Sequence, residues 1–249
     1  MDSGEDDKLL ELRFMNWKEA EDYLSGDDRA IVPIGSTEQH GPFGLFGTDH
    51  MIADRIARKV ADDLNIVSAP VIPIGMSVHH MTFPGSLTFT PETFILIVRE
   101  VLEGLRIHGF RRVMLLNGHG GNRDTVRTAL SSFINEMPEM RIYFRCWWEP
   151  DEVNSYIVKN FGDREGHHST PSETSQVIYH FGDKIKPVEV PFREMKRSPY
   201  FADKDTFREL YPDGVMGADV SLASAEHGEN LFKLCVKSIS KEIREWDTA

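Results

Sequence analysis

Cysteine is nearly absent from this chain of 249 residues: Cys146 and Cys235 are the only two. They lie far apart, so the sequence carries neither a disulfide framework nor a thiolate metal motif. Long apolar runs are missing too. None approaches the roughly 20 residues that a membrane-spanning helix needs. Basic residues are in deficit, with 28 Lys and Arg against 40 Asp and Glu, a formal net charge of -12. Such a balance disfavours nucleic-acid backbones and anionic membranes as partners, because both require clustered cations. The N-terminal Met1-Asp-Ser-Gly-Glu-Asp-Asp-Lys8 is acidic and polar, unlike the basic start of a secretory signal. Disorder is expected over residues 1–8, and a reducing cytoplasm is the expected compartment.

What is present is the patterning of an α/β protein. Ala30-Ile-Val-Pro-Ile34 and Arg112-Val-Met-Leu-Leu-Asn117 are apolar runs that end in turns, as buried strands do. Ile66–Ile74 reads as a further strand, at an edge because Pro70 and Pro73 interrupt it, and Arg141–Trp147 as another. Between them, Met51–Leu64 repeats Ile52, Ile56, Val60 and Leu64 at helical spacing. Thr90-Pro91 opens a second helix, which ends near Gly109. Asp124–Met137, Glu173–Phe181 and Ala223–Trp246 complete the set, while residues 182–222 read as irregular. Strands alternating with helices predict a single-domain, doubly wound, mainly parallel sheet with helices on both faces. The 182–222 stretch is long for a loop and reads as a functional loop or an oligomer contact, lying across a neighbouring subunit.

Four short islands carry the candidate chemistry: Glu38-Gln-His40, Thr48-Asp49-His50, Asn117-Gly-His119-Gly-Gly-Asn122, and Gly166-His167-His168 followed by Ser172-Glu173-Thr174. Ligands of open α/β sheets gather beyond the carboxyl ends of the strands, and three of these islands fall there. Mixed imidazoles and carboxylates at one edge suit divalent metals. Each piece also has a plain structural reading. Asp49 fits a helix N-cap, Gly118–Asn122 an anion-binding turn, and Glu173 a first-turn residue that favours the helix dipole. His79-His80 fits a packed turn, and His167-His168 a solvated loop. Their joint occurrence favours the metal reading.

Taken together, Pro33-Ile-Gly-Ser-Thr-Glu38-Gln-His40-Gly-Pro42, Gly47-Thr-Asp49, Phe83-Pro-Gly85, the Asn117–Asn122 turn, His168 and Glu173-Thr-Ser175 resemble the creatininase (creatinine amidohydrolase) family. Gly214-Val-Met-Gly217 and Ala223–Gly228 resemble that family's closing segment. The resemblance implies a homohexamer whose subunits each hold two divalent ions, zinc, manganese or iron. Residue by residue, it implies that Glu38 and His119 hold one ion, His40 holds the other, and Asp49 bridges them. Creatininase places a glutamate two residues after the glycine-flanked histidine, where this chain has Gly121, so Glu173 is assigned the missing carboxylate. His168 matches the catalytic histidine.

The implied chemistry is hydrolysis of a small carbonyl compound. Two cations would lower the pKa of a shared water, the backbone N–H groups of Gly120 and Gly121 would stabilise the oxyanion, and His168 would move a proton to the leaving group. Phe43 stands where relatives often carry a histidine, and Arg164 where creatininase has a covering tryptophan. Those departures point away from creatinine and toward a polar, oxygen-rich, cyclic ligand. Trp147, Trp148 and His80 complete the expected substrate-binding set. Two alternatives remain: C–C hydrolysis of a cyclic polyol ketone such as a dehydro-inosose, and a non-catalytic phosphate-binding protein built on the Gly118–Asn122 turn.

Overall fold

The computed structural model describes residues 10–196, 198 and 201–247; the disorder expected over residues 1–8 lies outside them. Its centre is a four-stranded sheet of β1 (Arg29–Ile34), β2 (Val67–Ser68), β3 (Arg112–Asn117) and β4 (Arg141–Cys146), in the order β2-β1-β3-β4. All pairs are parallel, and Ile34, Asn117 and Cys146 stand in register at the carboxyl end. Parallel neighbours require crossovers. These run through α2 (Thr48–Leu64), α3 (Pro91–His108) and α4 (Arg123–Glu136).

Successive side chains on a strand point to opposite faces, and the core divides accordingly. Ile31, Met114 and Leu116 pack with α2, α5 (Asp151–Phe161), α6 (Pro171–Phe181) and α8 (Ala225–Arg244). Ala30, Val32, Ile34, Val113 and Leu115 pack with α3 and α4 on the other side. Helices therefore cover both faces, as the alternating pattern predicts. The helix ends follow from local chemistry. Thr90 accepts a hydrogen bond from the Thr93 N–H, with Pro91 at the first position of α3, and Ser224 accepts from His227 at the start of α8.

The structure corrects several expected boundaries. The Ile66–Ile74 strand is only two residues long, because Pro70 and Pro73 cannot donate to a ladder; Ile72 keeps a single bridge to Ile34. Three helices were not anticipated. The first, α1 (Trp17–Leu24), is set by a capping box between Asn16 and Glu19. The second, α5, buries Val153, Ile157 and Phe161 at helical spacing. The third, α7 (Lys204–Leu210), lies inside the stretch read as irregular and is capped by Asp203. That stretch does not simply reach away from its own subunit. Gly214 O accepts from the Gln39 side chain at 2.9 Å, Met216 bridges His168, and Phe207 lies against His80 with ring centroids 4.7 Å apart.

The amino end of α2 is pressed against the carboxyl ends of β1 and β3. A Cβ on Gly118 would overlap the Asp49 carbonyl, and one on Gly35 would overlap the backbone of His50. These two glycines therefore let the helix approach closely enough to present Asp49 at the sheet edge. Gly118→Ala is expected to cost about 1–3 kcal/mol, the usual range for overpacking. For a chain of this size that is roughly 2–4 °C of Tm per kcal/mol. A thermal melt of the variant checks it; an unchanged Tm would show that α2 has room to retreat.

Candidate metal centre

The loop after β1 brings Glu38 and His40 to the site two residues apart. Glu38 is fully buried. Its Oε2 accepts hydrogen bonds from the hydroxyls of Ser36, at 3.0 Å, and Ser77, which leaves Oε1 turned toward the imidazoles. His40 Nδ1 donates to the Glu38 carbonyl at 3.1 Å, so Nε2 is the nitrogen left to face the site and the one that carries the lone pair when the ring is neutral. That Nε2 lies 3.0 Å from Asp49 Oδ1. Asp49 does not cap its helix. Gly47 holds the cap position, and the Asp49 carboxylate in the first turn faces the imidazoles.

His119 arrives from the end of β3. Asn117 fixes the turn through both backbone groups of His119, at 3.2 and 2.6 Å. Asn122 ties the turn to the Gly35 carbonyl and to the Met76 N–H, each at 3.0 Å. His119 Nε2 donates to the Met76 carbonyl at 3.0 Å, so Nδ1 is the free atom. It stands 3.3 Å from Glu38 Oε1 and 3.1 Å from Asp49 Oδ2. Those two oxygens are buried and accept no hydrogen bond. An ion with ligands at about 2.0–2.1 Å in tetrahedral array separates them by roughly 3.3 Å. The donors are therefore spaced and oriented as ligands, each imidazole anchored through its other nitrogen as metal-binding histidines commonly are.

The electrostatics agree with that reading. Burial would raise the Glu38 carboxyl, but the charge and hydrogen bond of His119 hold it well below the usual carboxylate range. Burial likewise opposes ionisation of Asp49, and His40 overcomes it. Burial would lower His40, yet the charge and hydrogen bond of Asp49 lift it to about 9. His119 is raised well above its ordinary value by Glu38, also against burial. Without cations, protons on these two imidazoles balance the two carboxylates.

Two further histidines complete the cluster. His168 Nδ1 lies 3.4 Å and His80 Nε2 3.5 Å from Glu38 Oε1. Burial, reinforced by the charge of His40, pushes His168 down to about 3. Burial and His168 depress His80 as well. Both rings are therefore neutral at neutral pH. His168 leads into Ser169, a buried residue with φ of +55°, and such conformations concentrate at functional sites. His167 is exposed, in keeping with the solvated-loop reading.

The remaining expected residues divide. Glu173 caps α6 in a box with Thr170, whose N–H its Oε2 accepts at 3.0 Å. Burial raises its carboxyl to about 7, while His40 draws it down, so it shares the field of the centre. Among the described residues, the donors grouped closely enough for one ion are Glu38, His40 and Asp49, or Glu38, His80 and His168; neither Glu173 nor His119 is in either set, although His119 Nδ1 lies within 3.3 Å of both carboxylates. Gly120 and Gly121 are exposed, and a Cβ on Gly121 would overlap His119 and the Met76 carbonyl, so that position has no room for a carboxylate in this loop. Phe43 is buried against Val215 and Ala218 rather than lining an open wall.

Trp147, expected to touch substrate, is 1% exposed within the helical core. It follows β4 on the side where α5 and α8 pack. Trp148 is half-buried, edge-on to it. Arg164 pairs with Asp219 at 2.7 Å and lies over Phe192, in a cavity of about 570 Å³ beside His167. Ser36, Gln39, Ser77, Asn117 and Asn122, which hold the ligands, were not singled out for that work. For Ser36, Gln39, Asn117 and Asn122 the only signal is a place within the motif segments, and Ser77 lies outside them.

The chain matches the family described as Creatininase, Creatinine amidohydrolase, over residues 13–243. The chain belongs to the creatininase family. Creatinine amidohydrolase of Pseudomonas putida is 24% identical over 249 residues, 93% of this chain and 95% of that protein. A mycofactocin precursor peptide peptidase of Mycobacterium ulcerans is 32% identical, covering 87% of this chain and 84% of its own. A 3-dehydro-scyllo-inosose hydrolase of Thermotoga maritima is 37% identical over 107 residues, 43% of this chain and 34% of its own. All three are named for hydrolytic reactions. A manganese creatininase superposes with a TM-score of 0.83 at 23% identity, over 96% of this chain and 98% of the other. A zinc–zinc form of a creatininase mutant does so with a TM-score of 0.84, at the same identity and coverage. Among the described residues of this creatininase-family chain, no helix is long and apolar enough to cross a membrane.

Metal uptake by this centre must compete with protons. His40, lifted to about 9, is protonated at pH 7 in the metal-free protein and must become neutral to bind. Zinc affinity should therefore rise with pH, roughly tenfold per unit for each displaced proton, through the value of about 9 at which His40 loses its own proton. Calorimetry at pH 7 in two buffers of different ionisation enthalpy should show release of about one proton or more. Binding without proton release would contradict the assignment of His40.

Proposed function

We propose that the chain is a hydrolase dependent on two divalent cations, and that it opens a small, polar, cyclic carbonyl compound at a C–N bond. The observation that carries this reading is the convergence of two buried, unbonded carboxylate oxygens, Glu38 Oε1 and Asp49 Oδ2, with the free nitrogens His119 Nδ1 and His40 Nε2. Asp49 turns one oxygen to each imidazole, which suits a bridge. Glu173 is the proposed further ligand, through the oxygen its capping box leaves over. Cations here, zinc, manganese or iron, would supply Lewis acidity and a lowered water pKa. The protein's own groups do the rest. His168, neutral and with Nδ1 facing Glu38, accepts a proton from the attacking water and returns it to the leaving nitrogen as the C–N bond breaks.

Creatinine is not the substrate this reading favours. Its flat ring would need aromatic cover, yet Trp147 is committed to the core and Arg164 to Asp219. A second reading, cleavage of a C–C bond in a cyclic polyol ketone, is favoured by the 37% identity to the inosose hydrolase. It would use the same centre, and product analysis separates the two. A closed homo-oligomer, hexameric by resemblance, belongs to the same proposal. An apolar groove of about 1040 Å³ beside the exposed Trp17, lined by Leu24, Val101 and Leu105, supports it. Light scattering should give a mass several times 28.4 kDa; a monomer at micromolar concentration would remove the oligomer.

Elemental analysis tests the centre. Near two metals per chain are expected after reconstitution, and Asp49→Ala should lose both. Full retention in that variant would remove the bridge. His168→Ala should keep its metals and lose about 10²–10⁴ of kcat on any substrate found by screening; unchanged turnover would remove the proton carrier.

A further inference from the structure

Gln39 lies between two metal-site residues in sequence and is itself 5% exposed. Its amide orientation is fixed by two backbone groups that have only one hydrogen-bonding sense. The Gly41 N–H donates to Oε1 at 2.8 Å, and the Gly214 carbonyl accepts from Nε2 at 2.9 Å. Reversing the amide would set oxygen against oxygen and N–H against N–H. One hydrogen of Nε2 therefore goes to Gly214. The other meets His80 Nδ1 at 2.9 Å, which must carry a lone pair. The third neighbour, His168 Nε2 at 3.1 Å, is not an acceptor, because its own proton goes to the Gln39 backbone carbonyl at 2.6 Å.

Both histidines are thus protonated on Nε2, but they face the centre with opposite ends. His168 presents an unprotonated Nδ1 and His80 a protonated Nε2, each about 3.5 Å from the same Glu38 oxygen. Their rings are 4.3 Å apart. We propose that Gln39 is a positioning residue that makes His168 the proton acceptor and His80 the hydrogen-bond donor of the site, so that His80 serves the substrate's carbonyl oxygen and is not a metal ligand. This rests on the hydrolase reading for its chemical role. As water attacks, its oxygen bonds to the carbonyl carbon, His168 Nδ1 takes the proton, and charge gathers on the carbonyl oxygen, which would accept from the His80 N–H now turned toward Glu38 Oε1 at 3.5 Å. Collapse breaks the C–N bond, and the proton leaves His168 for the nitrogen.

The Gly214 contact adds a condition. The acceptor that fixes the amide comes from the segment that closes over the site, and a Cβ on Gly214 would overlap the Gln39 side chain. The donor face of His80 is therefore set only when that segment is in place.

Ring nitrogen NMR tests the assignment without any substrate. The protein is labelled with ¹⁵N-histidine and recorded metal-free and zinc-loaded, with His80 and His168 signals assigned by their loss in His80→Gln and His168→Gln. Both rings should show a protonated Nε2 and a bare Nδ1 in the metal-free wild type. Zinc should shift His40 and His119 and leave the His80 Nε2 proton in place. Gln39→Glu replaces the donor by an acceptor, so His80 Nδ1 should gain a proton while His168, held by a backbone carbonyl, keeps its pattern. A general loss of packing would not move one ring and spare the other. A wild-type His80 protonated on Nδ1, zinc coordination at His80 Nε2, or an unaltered His80 in Gln39→Glu would each overturn the proposal. The wild-type spectra decide it even where the variant fails to fold. Zinc stoichiometry on the same samples keeps the two readings apart: a chain that takes up no zinc sinks the hydrolase, while the proton positions still decide the role of Gln39.

Discussion

Two ionised carboxylates, Glu38 and Asp49, are buried side by side at the carboxyl edge of the sheet. Each would cost several kcal/mol if left uncompensated. Positive charge from His40 and His119 meets that cost in the metal-free protein, and cations meet it more completely. Much of the surrounding structure serves this one constraint. Two serine hydroxyls hold one Glu38 oxygen aside, and Gly35 and Gly118 admit the helix that carries Asp49. Backbone carbonyls of Glu38 and Met76 anchor one nitrogen of each imidazole, so that the other, protonated in the metal-free protein and bare when a cation binds, faces the carboxylates.

The sheet gives these groups a common origin. Ile34 and Asn117 end adjacent parallel strands in register, so the loops that follow them start side by side and run the same way. Asn117 then braces the turn that follows its own strand, and the Asn122 side-chain amide ties that turn to Gly35 and Met76. A site spread over residues 38 to 168 is in this way carried by rigid strand ends, while the covering segment around Phe207 and Gly214 closes it from the other side. The two thiols take no part. Burial pushes Cys146 up to about 12 and Cys235 higher still, so neither offers a thiolate ligand at neutral pH.

Much of this was legible from sequence because it rests on local rules. Apolar runs gave β1 and β3, and helical spacing gave α2, α3 and α8. Glycine-flanked histidines after strands marked Glu38, His40, Asp49 and His119 as neighbours. What escaped reading was set by contacts distant in sequence. Trp147 looked like a pocket wall, but the face of β4 on which it emerges belongs to the helical core. Arg164 keeps one guanidinium nitrogen on Asp219, 55 residues away, while its side chain stays half exposed at the edge of a cavity. The work of Gln39 could not be read at all, since it depends on Gly214 from the far end of the chain. Helix α5 is different: its Val153, Ile157 and Phe161 repeat is local and stands in the sequence at helical spacing.

The central claim is that Glu38, His40, Asp49 and His119 form one centre that holds a pair of cations. Zinc-edge X-ray absorption of the fully loaded protein tests it most directly. The account predicts a first shell of nitrogen and oxygen at about 2.0–2.1 Å with no sulfur, and a second zinc at roughly 3.5–4 Å. A sulfur shell, or a spectrum without a neighbouring metal at full occupancy, would contradict it.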